Sequence, residues 1–296
     1  MLSHILNFFV KKKVRFAVIS DIHSNLEALS VVMEDIKNNE IKEIYCCGDI
    51  IGYGPNPNEC VEIIIKNDII SVLGNHDYAL NNPKKLYWFN SDAKNSIEWT
   101  DKNIKVGNKE FLKKLKEYYS NELFEIVHGS LRDSVFEYVF PDFILISQQI
   151  ERMKRKILFL GHTHYPFIFV EGKTNCKEKE YRYLLRYYKK DSTGVRNPKT
   201  IEDGYSDSYA INLFKQPNKT VETILIKDYD KVIVNVGSVG QPRDYNNMAS
   251  YVICEIGKKD LKIKFVRLGY DYRKTQKKIL KSGLPNKNAE RLEIGR

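Results

Sequence analysis

The run Val14 to Ser20, VRFAVIS, is short, β-branched and apolar on both alternating faces, with polar residues at either end. Such a run reads as a strand buried on both sides, as in a parallel sheet covered by helices. Similar runs return at Ile41 to Cys47 and Ile69 to Leu73, with segments of helical spacing between them. Ser24 is placed to cap the first helix, with Glu27 reaching back, and Leu26, Leu29, Val32, Met33 and Ile36 supply its apolar stripe. Asn56 and Pro57 suit the cap and first turn of a second helix carrying Val61, Ile64 and Ile65. Strand, loop, helix, strand in repetition implies right-handed crossovers and a parallel sheet in the N-terminal half.

Further along, Ser91 to Tyr119 reads as helical, and another helix is expected over Asp142 to Arg152. From Ile157 strands dominate: ILFLGH, PFIFV, SYAINLF, TVETILI, KVIVNVG, ASYVICEI and LKIKFVRL, several alternating with period two and joined by short turns. A basic helix is expected over Tyr272 to Lys281. The chain of 296 residues allows one large domain or two small ones at about 150 residues each. It is long enough for a core without a disulfide or metal staple. The reading adopted is one domain over 14–270 with an insertion at about 171–206, preceded by an N-terminal extension, 1–13, and followed by a C-terminal helix and tail, 271–296.

A net charge of +10 and a pI near 9.1 favour anionic partners such as phosphorylated ligands, nucleic acid or an acidic surface, without choosing among them. No apolar run approaches the ~18 residues of a membrane-spanning helix. The apolar stretch at Ile5 to Val10 precedes the Lys11–Lys13 cluster, the reverse of a secretory signal. The five cysteines form no C-x-x-C spacing, and a reducing cytoplasm is the expected location. Adjacent Cys46 and Cys47 read as small core residues on opposite faces of a strand.

The histidines carry the functional signal. Five of the six lie where an apolar run ends in a short motif: His23 in D-I-H, His76 in G-N-H-D, His128 in V-H-G-S, and His162 and His164 in G-H-T-H; His4 lies outside such motifs. Ligands bind at the carboxyl ends of strands in open α/β sheets, so these loops should converge on one crevice. In extended backbone, residues i and i+2 share a side, so Asp21 and His23 can present a carboxylate and an imidazole together, as can the two imidazoles of His162 and His164. Asp49 and Asn75 add oxygen donors from neighbouring strand ends. Imidazole, carboxylate and amide without thiolate suit Mn, Fe, Zn, Co or Ni, with little discrimination among them. Seven donors exceed what one catalytic ion needs and suit two.

The ordered series D-x-H, G-D, G-N-H-D, H and G-H-x-H from Asp21 to His164, followed by N-V-G-S-V-G-Q-P-R-D at Asn235 to Asp244, resembles the calcineurin-like metallophosphoesterase superfamily, in its small prokaryotic phosphodiesterase and phosphatase branch. The resemblance implies an α/β fold, a four-layer αββα sandwich of two mixed β-sheets flanked by helices, with 14–270 as a single metallophosphoesterase domain. It implies that Asp21, His23 and His164 bind one metal, that Asn75, His128 and His162 bind the other, and that Asp49 bridges them. It also implies that His76 is the catalytic residue, pointing at the leaving group without binding metal. The implied activity is a metal-dependent phosphoric ester hydrolase acting on phosphomonoesters or phosphodiesters by in-line attack of a metal-bridging hydroxide, with two divalent cations and manganese the metal expected in assay. Two such cations, two carboxylates and one hydroxide leave a net positive pocket that attracts a phosphate ester and stabilises charge gathering on it.

Other residues carry open alternatives. Arg243 either grips a phosphate oxygen or pairs with Asp244 or another acid. Asp77 reads as a turn residue or as a carboxylate that orients the metal-site histidines. Serine/threonine phosphoprotein phosphatases carry G-D-x-V-D-R-G at the bridging Asp; here Gly52 and Tyr53 replace the Asp and Arg, which favours small phosphate esters over phosphoproteins. The stretch Y-R-Y-L-L-R-Y-Y-K-K at Tyr181 to Lys190 reads as a single-stranded nucleic-acid clamp, a lid or a solvated insertion. The alternative function is a catalytically weak scaffold or a nucleic-acid- or nucleotide-processing protein on the same fold. The sequence leaves the oligomeric state undetermined.

Overall fold

The structure, a computed structural model, describes residues 13–172, 187–190, 196–199, 221–227 and 229–296. Its strands are β1 (Val14–Ile19), β2 (Glu43–Cys46), β3 (Ile70–Ser71), β4 (Tyr118–Ser120), β5 (Phe124–Val127), β6 (Ile157–Leu160), β7 (Phe167–Gly172), β8 (Tyr187–Lys190), β9 (Arg196–Lys199), β10 (Val221–Lys227), β11 (Tyr229–Asn235), β12 (Ala249–Ile256) and β13 (Asp260–Leu268). The helices are α1 (Leu26–Asn38), α2 (Pro57–Lys66), α3 (Asn75–Asn81), α4 (Ser91–Asn103), α5 (Val106–Lys113), α6 (Phe143–Arg152), α7 (Tyr272–Lys281) and α8 (Asn286–Ile294), with a 3-10 helix at Pro83–Trp88.

Two mixed sheets result. The first runs β10-β13-β12-β1-β2-β3, with β1, β2 and β3 parallel and β12 antiparallel to β1. The second runs β4-β5-β6-β11-β7-β8-β9, with β5, β6 and β11 parallel and β7 reversed against β11. Period-two alternation along β1 decides the layering. Phe16 and Val18 face Phe124, Ile126, Phe159 and Val234 of the second sheet. Ala17 and Ile19 face the other way, onto Leu29, Val32 and Ile36 of α1 and Val61 and Ile64 of α2. The outer face of the second sheet, Leu158, Leu160, Phe169 and Ile233, is covered by Ile146 and Ile150 of α6. The layers are therefore helix, sheet, sheet, helix. Cys46 and Cys47 fall in the outer and inner cores respectively.

Several sequence expectations shift. Asn25, not Ser24, caps α1, accepting from Ala28 N at 3.2 Å. Ser24 has φ +53° and spends its N–H on Ile50 O, and Glu27 pairs with Lys278 of α7 rather than reaching back. Asn56 precedes α2, but its side-chain amide donates to Glu59 and caps nothing. The segment 91–119 is two helices, with its last residues in the edge strand β4. The tail after α7 holds α8, which buries only Asn288, Ala289 and Leu292, an apolar stripe too thin to register in the sequence. Leu284, Ala289 and Leu292 form a small core with Ile279, against Trp99 of α4. No helix among the described residues is long and apolar enough to cross a membrane.

The expected strand SYAINLF, His4 and most of the extension 1–13 lie outside the described residues. So does the 171–206 segment apart from 171–172 and the strands β8 and β9, which extend the second sheet beyond β7.

Candidate functional site

The carboxyl ends of β1, β2, β3, β5 and β6 meet at one edge of the two facing sheets, and each sends a loop into the same space. Asp21, His23, Asp49 and Asn75 come from the first sheet, and His128, His162 and His164 from the second. All seven are between 0 and 7% exposed. Five of them hold left-handed backbone: Asp21 at φ +53°, His23 at +49°, Asp49 at +55°, His162 at +65° and His164 at +61°. Non-glycine residues there cost of order 1–3 kcal/mol each and persist only where the surroundings over-determine them. The extended i, i+2 geometry expected for the two pairs is therefore not what aims these side chains. The turns aim them individually, and His162 and His164 diverge into different clusters.

One cluster joins Asp21, His23 and His164: His23 Nε2 and His164 Nε2 are 3.1 Å apart, and His164 Nε2 is 3.2 Å from Asp21 Oδ1. A second joins Asp49, His128 and His162, with His128 Nε2 3.0 Å from His162 Nδ1 and 3.1 Å from Asn75 Oδ1, and a third grouping of donor atoms, His23, Asp49 and His76, overlaps both. Asp49 Oδ2 lies between the clusters, 3.6 Å from His23 Nε2 and 3.5 Å from His128 Nε2. Its other oxygen accepts from His76 N at 2.9 Å.

The outward nitrogen of each imidazole identifies the tautomer. His23 Nδ1 faces Ile51 O at 3.2 Å, His128 Nδ1 faces Cys47 O at 2.8 Å, His162 Nε2 faces Phe136 O at 3.1 Å, and His164 Nδ1 faces Gln241 O. A carbonyl only accepts, so each of these nitrogens is an N–H donor, and a neutral ring then turns a lone pair inward. Pairs of such lone pairs 3.0–3.1 Å apart repel unless a positive charge lies between them. The spacing matches neighbouring donors bound at about 2.0–2.1 Å to one ion. Asp21 Oδ1, buried without a hydrogen-bond partner, turns toward the same space. The donor set fits divalent cations.

Electrostatics agree. Burial alone would raise both carboxyls, yet His164 and His128 hold Asp21, and His128 and His76 hold Asp49, well below the usual carboxylate range. Burial drives His162 down to about 3 and His76 down to about 4, and lowers His23 and His164 as well. His128 is the exception: burial opposes its charge, but Asp49 lifts it to about 9. A proton there offsets one of two buried negative charges, and a cation in the same place would displace it.

His76 packs against Tyr53 (ring centroids 4.5 Å apart), His23 (4.9 Å) and Phe89 (5.2 Å), and its Nδ1 is buried without a partner. Gly52 makes that placement possible. It has φ +98°, and a Cβ on it would stand 2.3 Å from His76 Nδ1. Gly52→Ala is accordingly expected to cost roughly 1–3 kcal/mol of stability and to displace the ring, read as a lower melting temperature together with lost turnover. Asp77 accepts from the N–H groups of Ile50, Ile51 and Gly74 at 3.1–3.3 Å, tying the Asp49 loop to the start of α3.

A cavity of about 500 Å3 opens over this floor, reached by Asp49, Asn75, His76, His162 and His164. Arg243 lines it and donates to Gln241 Oε1 at 2.9 Å and to Tyr53 OH at 3.4 Å. Asp244 is not its partner, because buried Arg267 takes that carboxylate. Two guanidinium groups stand near the ring of Tyr53, Arg243 at 5.7 Å and Arg291 of α8 at 5.8 Å from its centroid. Asn288 of α8 also donates to Tyr53 O at 3.1 Å. Sequence reasoning missed this support from α8, the four carbonyl anchors, and the walls Trp88, Phe89, Phe136 and Tyr138. Only Tyr53 left a signal, as a departure from the phosphatase pattern.

Two facing sheets whose strand ends hold a buried imidazole–carboxylate cradle define a metal-dependent class of protein, and the comparisons give the family. The calcineurin-like phosphoesterase superfamily domain matches residues 14–179, and the chain belongs to that superfamily. An uncharacterized protein of Methanocaldococcus jannaschii is 38% identical over 289 residues, covering 96% of this chain and 99% of its own. The crystal structure of a metallophosphoesterase from Sphaerobacter thermophilus is similar with a TM-score of 0.69 at 29% identity, over 96% of this chain and 100% of that one. A hypothetical protein from Pyrococcus horikoshii OT3 gives 0.69 at 18% identity, over 95% and 98%, a likeness of fold. Family and neighbour together support a hydrolase of phosphate esters with a metal-binding site.

Proposed function

We propose that the protein is a dinuclear metal-dependent phosphoesterase that hydrolyses phosphomonoesters or phosphodiesters by in-line displacement with water, in the cytoplasm, through a single catalytic domain over 14–270. The observation that carries this reading is the set of four imidazoles, each held by a backbone carbonyl and turned on two buried carboxylates. Asp21, His23 and His164 would hold one cation, Asn75, His128 and His162 the other, and Asp49 both. Manganese, iron, zinc, cobalt or nickel suits these donors, with manganese the first to assay. Bound there, such ions supply Lewis acidity to a phosphoryl oxygen and lower the pKa of water from 15.7 toward ~7.

The chain's own groups do the rest. Arg243, held by Gln241 and Tyr53 beside the cavity, is placed to bind a phosphate oxygen through its planar fork. His76 lines the cavity beside the donors and is placed to hydrogen-bond the departing oxygen.

The test is elemental analysis of the purified protein combined with turnover of aryl phosphate esters before and after chelation. Two equivalents of divalent metal and chelator-sensitive hydrolysis are expected, and hydrolysis that persists in fully stripped protein would sink the proposal. Readdition of metal at a hundredfold excess over its dissociation constant should stabilise by about 2.7 kcal/mol per site. A melting curve would show this as a rise of roughly 4 °C per site.

A further inference from the structure

We propose that helix α8 is a brace for phosphate binding, in which Asn288 near its start and Gly295 at its end are positioning residues that set Arg243 against Tyr53. This rests on the phosphoesterase reading, in which Arg243 takes a phosphate oxygen, and adds the residues that hold it ready. Arg243 and Tyr53 stand on separate loops, 190 positions apart in the chain. An arginine side chain has many rotamers to lose, so it binds strongly only where its surroundings fix it beforehand. Its partners are Gln241 in its own loop and Tyr53 OH in the other, so the guanidinium is placed by the spacing of the two loops.

α8 holds both loops. Toward its start, Asn288 Nδ2 donates to Tyr53 O at 3.1 Å. Tyr53 has φ +53° and follows Gly52 at +98°, a left-handed turn that persists only with support from outside itself. At the other end, Gly295 O accepts from Tyr245 N at 2.8 Å, just after Arg243. Gly295 has φ +62°, and a Cβ on it would stand 2.6 Å from the backbone of Asn246, so helix end and loop meet backbone to backbone. Asn247 Nδ2 adds a bond to Glu293 O at 3.2 Å. The rise from Asn288 to Gly295, roughly 10 Å at 1.5 Å per residue, therefore sets the distance between the two loops.

The brace is anchored away from the cavity. Asn288 Nδ2 also donates to Ser96 Oγ of α4 at 2.8 Å, and Gln276 of α7 donates to Ala289 O at 2.9 Å. Ala289 and Leu292 pack with Ile279 and Leu284 against Trp99. Neither Asn288 nor Gly295 is among the described residues that line the cavity, so both act on a bound phosphate only through Tyr53 and Arg243.

The test is a double-mutant cycle read by calorimetric titration of inorganic phosphate into manganese-loaded protein. Arg243→Ala should weaken phosphate binding at least about tenfold, as for a lost hydrogen bond to a charged group. Asn288→Ala and Gly295→Ala should each weaken it about fivefold while Arg243 is present, and have no effect once Arg243 is replaced, because members of one contact network do not add. The two ends give independent variants, so one that fails to fold leaves the other to decide. Leu284→Ala, in the same small core but in neither loop, separates bracing from general loosening: it should lower the melting temperature and leave phosphate affinity unchanged.

Equal losses with and without Arg243, unchanged affinity in both brace variants, a loss in Leu284→Ala that matches theirs, or no phosphate binding by loaded wild type would overturn the inference. The expected pattern in protein that turns over no aryl ester would remove the phosphoesterase reading and keep the brace, whereas turnover without the pattern would do the reverse.

Discussion

Asp49→Asn is expected to empty both cation positions together and to lower kcat/KM by about three orders of magnitude. The variant isolates charge from shape. An asparagine Oδ1 can still accept from His76 N, the bond Asp49 makes at 2.9 Å, so the loop should keep its course. What it loses is the negative charge on Oδ2, which lies 3.6 Å from His23 Nε2 and 3.5 Å from His128 Nε2. Lewis-acid stabilisation by bound metal is worth several kcal/mol, and each 1.36 kcal/mol is tenfold in rate, from which ~10³ follows. Elemental analysis beside steady-state kinetics checks this. Loss of one equivalent with the second retained would remove the shared role assigned to Asp49, whatever the kinetics show.

His76→Ala should separate from that pattern: metal content retained at two equivalents, turnover down by about 10²–10⁴, the usual worth of a positioned proton donor or acceptor. The hydrogen bond from His76 to Asp49 is made by its backbone N–H, which alanine keeps. The imidazole is buried among Tyr53, Phe89 and His23, so truncation leaves a hollow and some loss of stability is expected as well. The readout that matters is the dependence on the leaving group. If His76 hydrogen-bonds the departing oxygen, the deficit should grow as the leaving alcohol becomes more basic. A uniform loss across aryl esters of graded acidity would assign His76 a packing role.

Much of the architecture was legible in the chain because its signals are local. VRFAVIS reads as a strand because it is apolar on both faces, and the stripe of α1 acts within one or two turns. What escaped depends on partners distant in sequence. Nothing local says that Ser24 will give its N–H to Ile50, leaving the cap to Asn25. Likewise α8 is a helix because Leu284, Ala289 and Leu292 find Ile279 and Trp99, not because its own stripe is strong. For the site, residue types and order marked the donors, since few purposes gather histidine, aspartate and asparagine at successive strand ends. Their aim was not legible. The reasoning from extended backbone fails at residues whose φ is positive, and the carbonyls of Cys47, Ile51, Phe136 and Gln241 carry no side-chain signature at all.

Each donor cluster draws members from both sheets, and this makes the pitch of one sheet on the other a chemical variable. A tilt of the second sheet carries His128, His162 and His164 as a unit past Asp21 and Asp49. Between the sheets lies the ring cluster of Phe16, Phe124 and Phe159, one stacked pair and two edge-to-face pairs with centroids 4.6–5.8 Å apart. Remodelling that seam would retune the gap between the two donor clusters as a shim adjusts a jaw, altering affinity for metal from a distance.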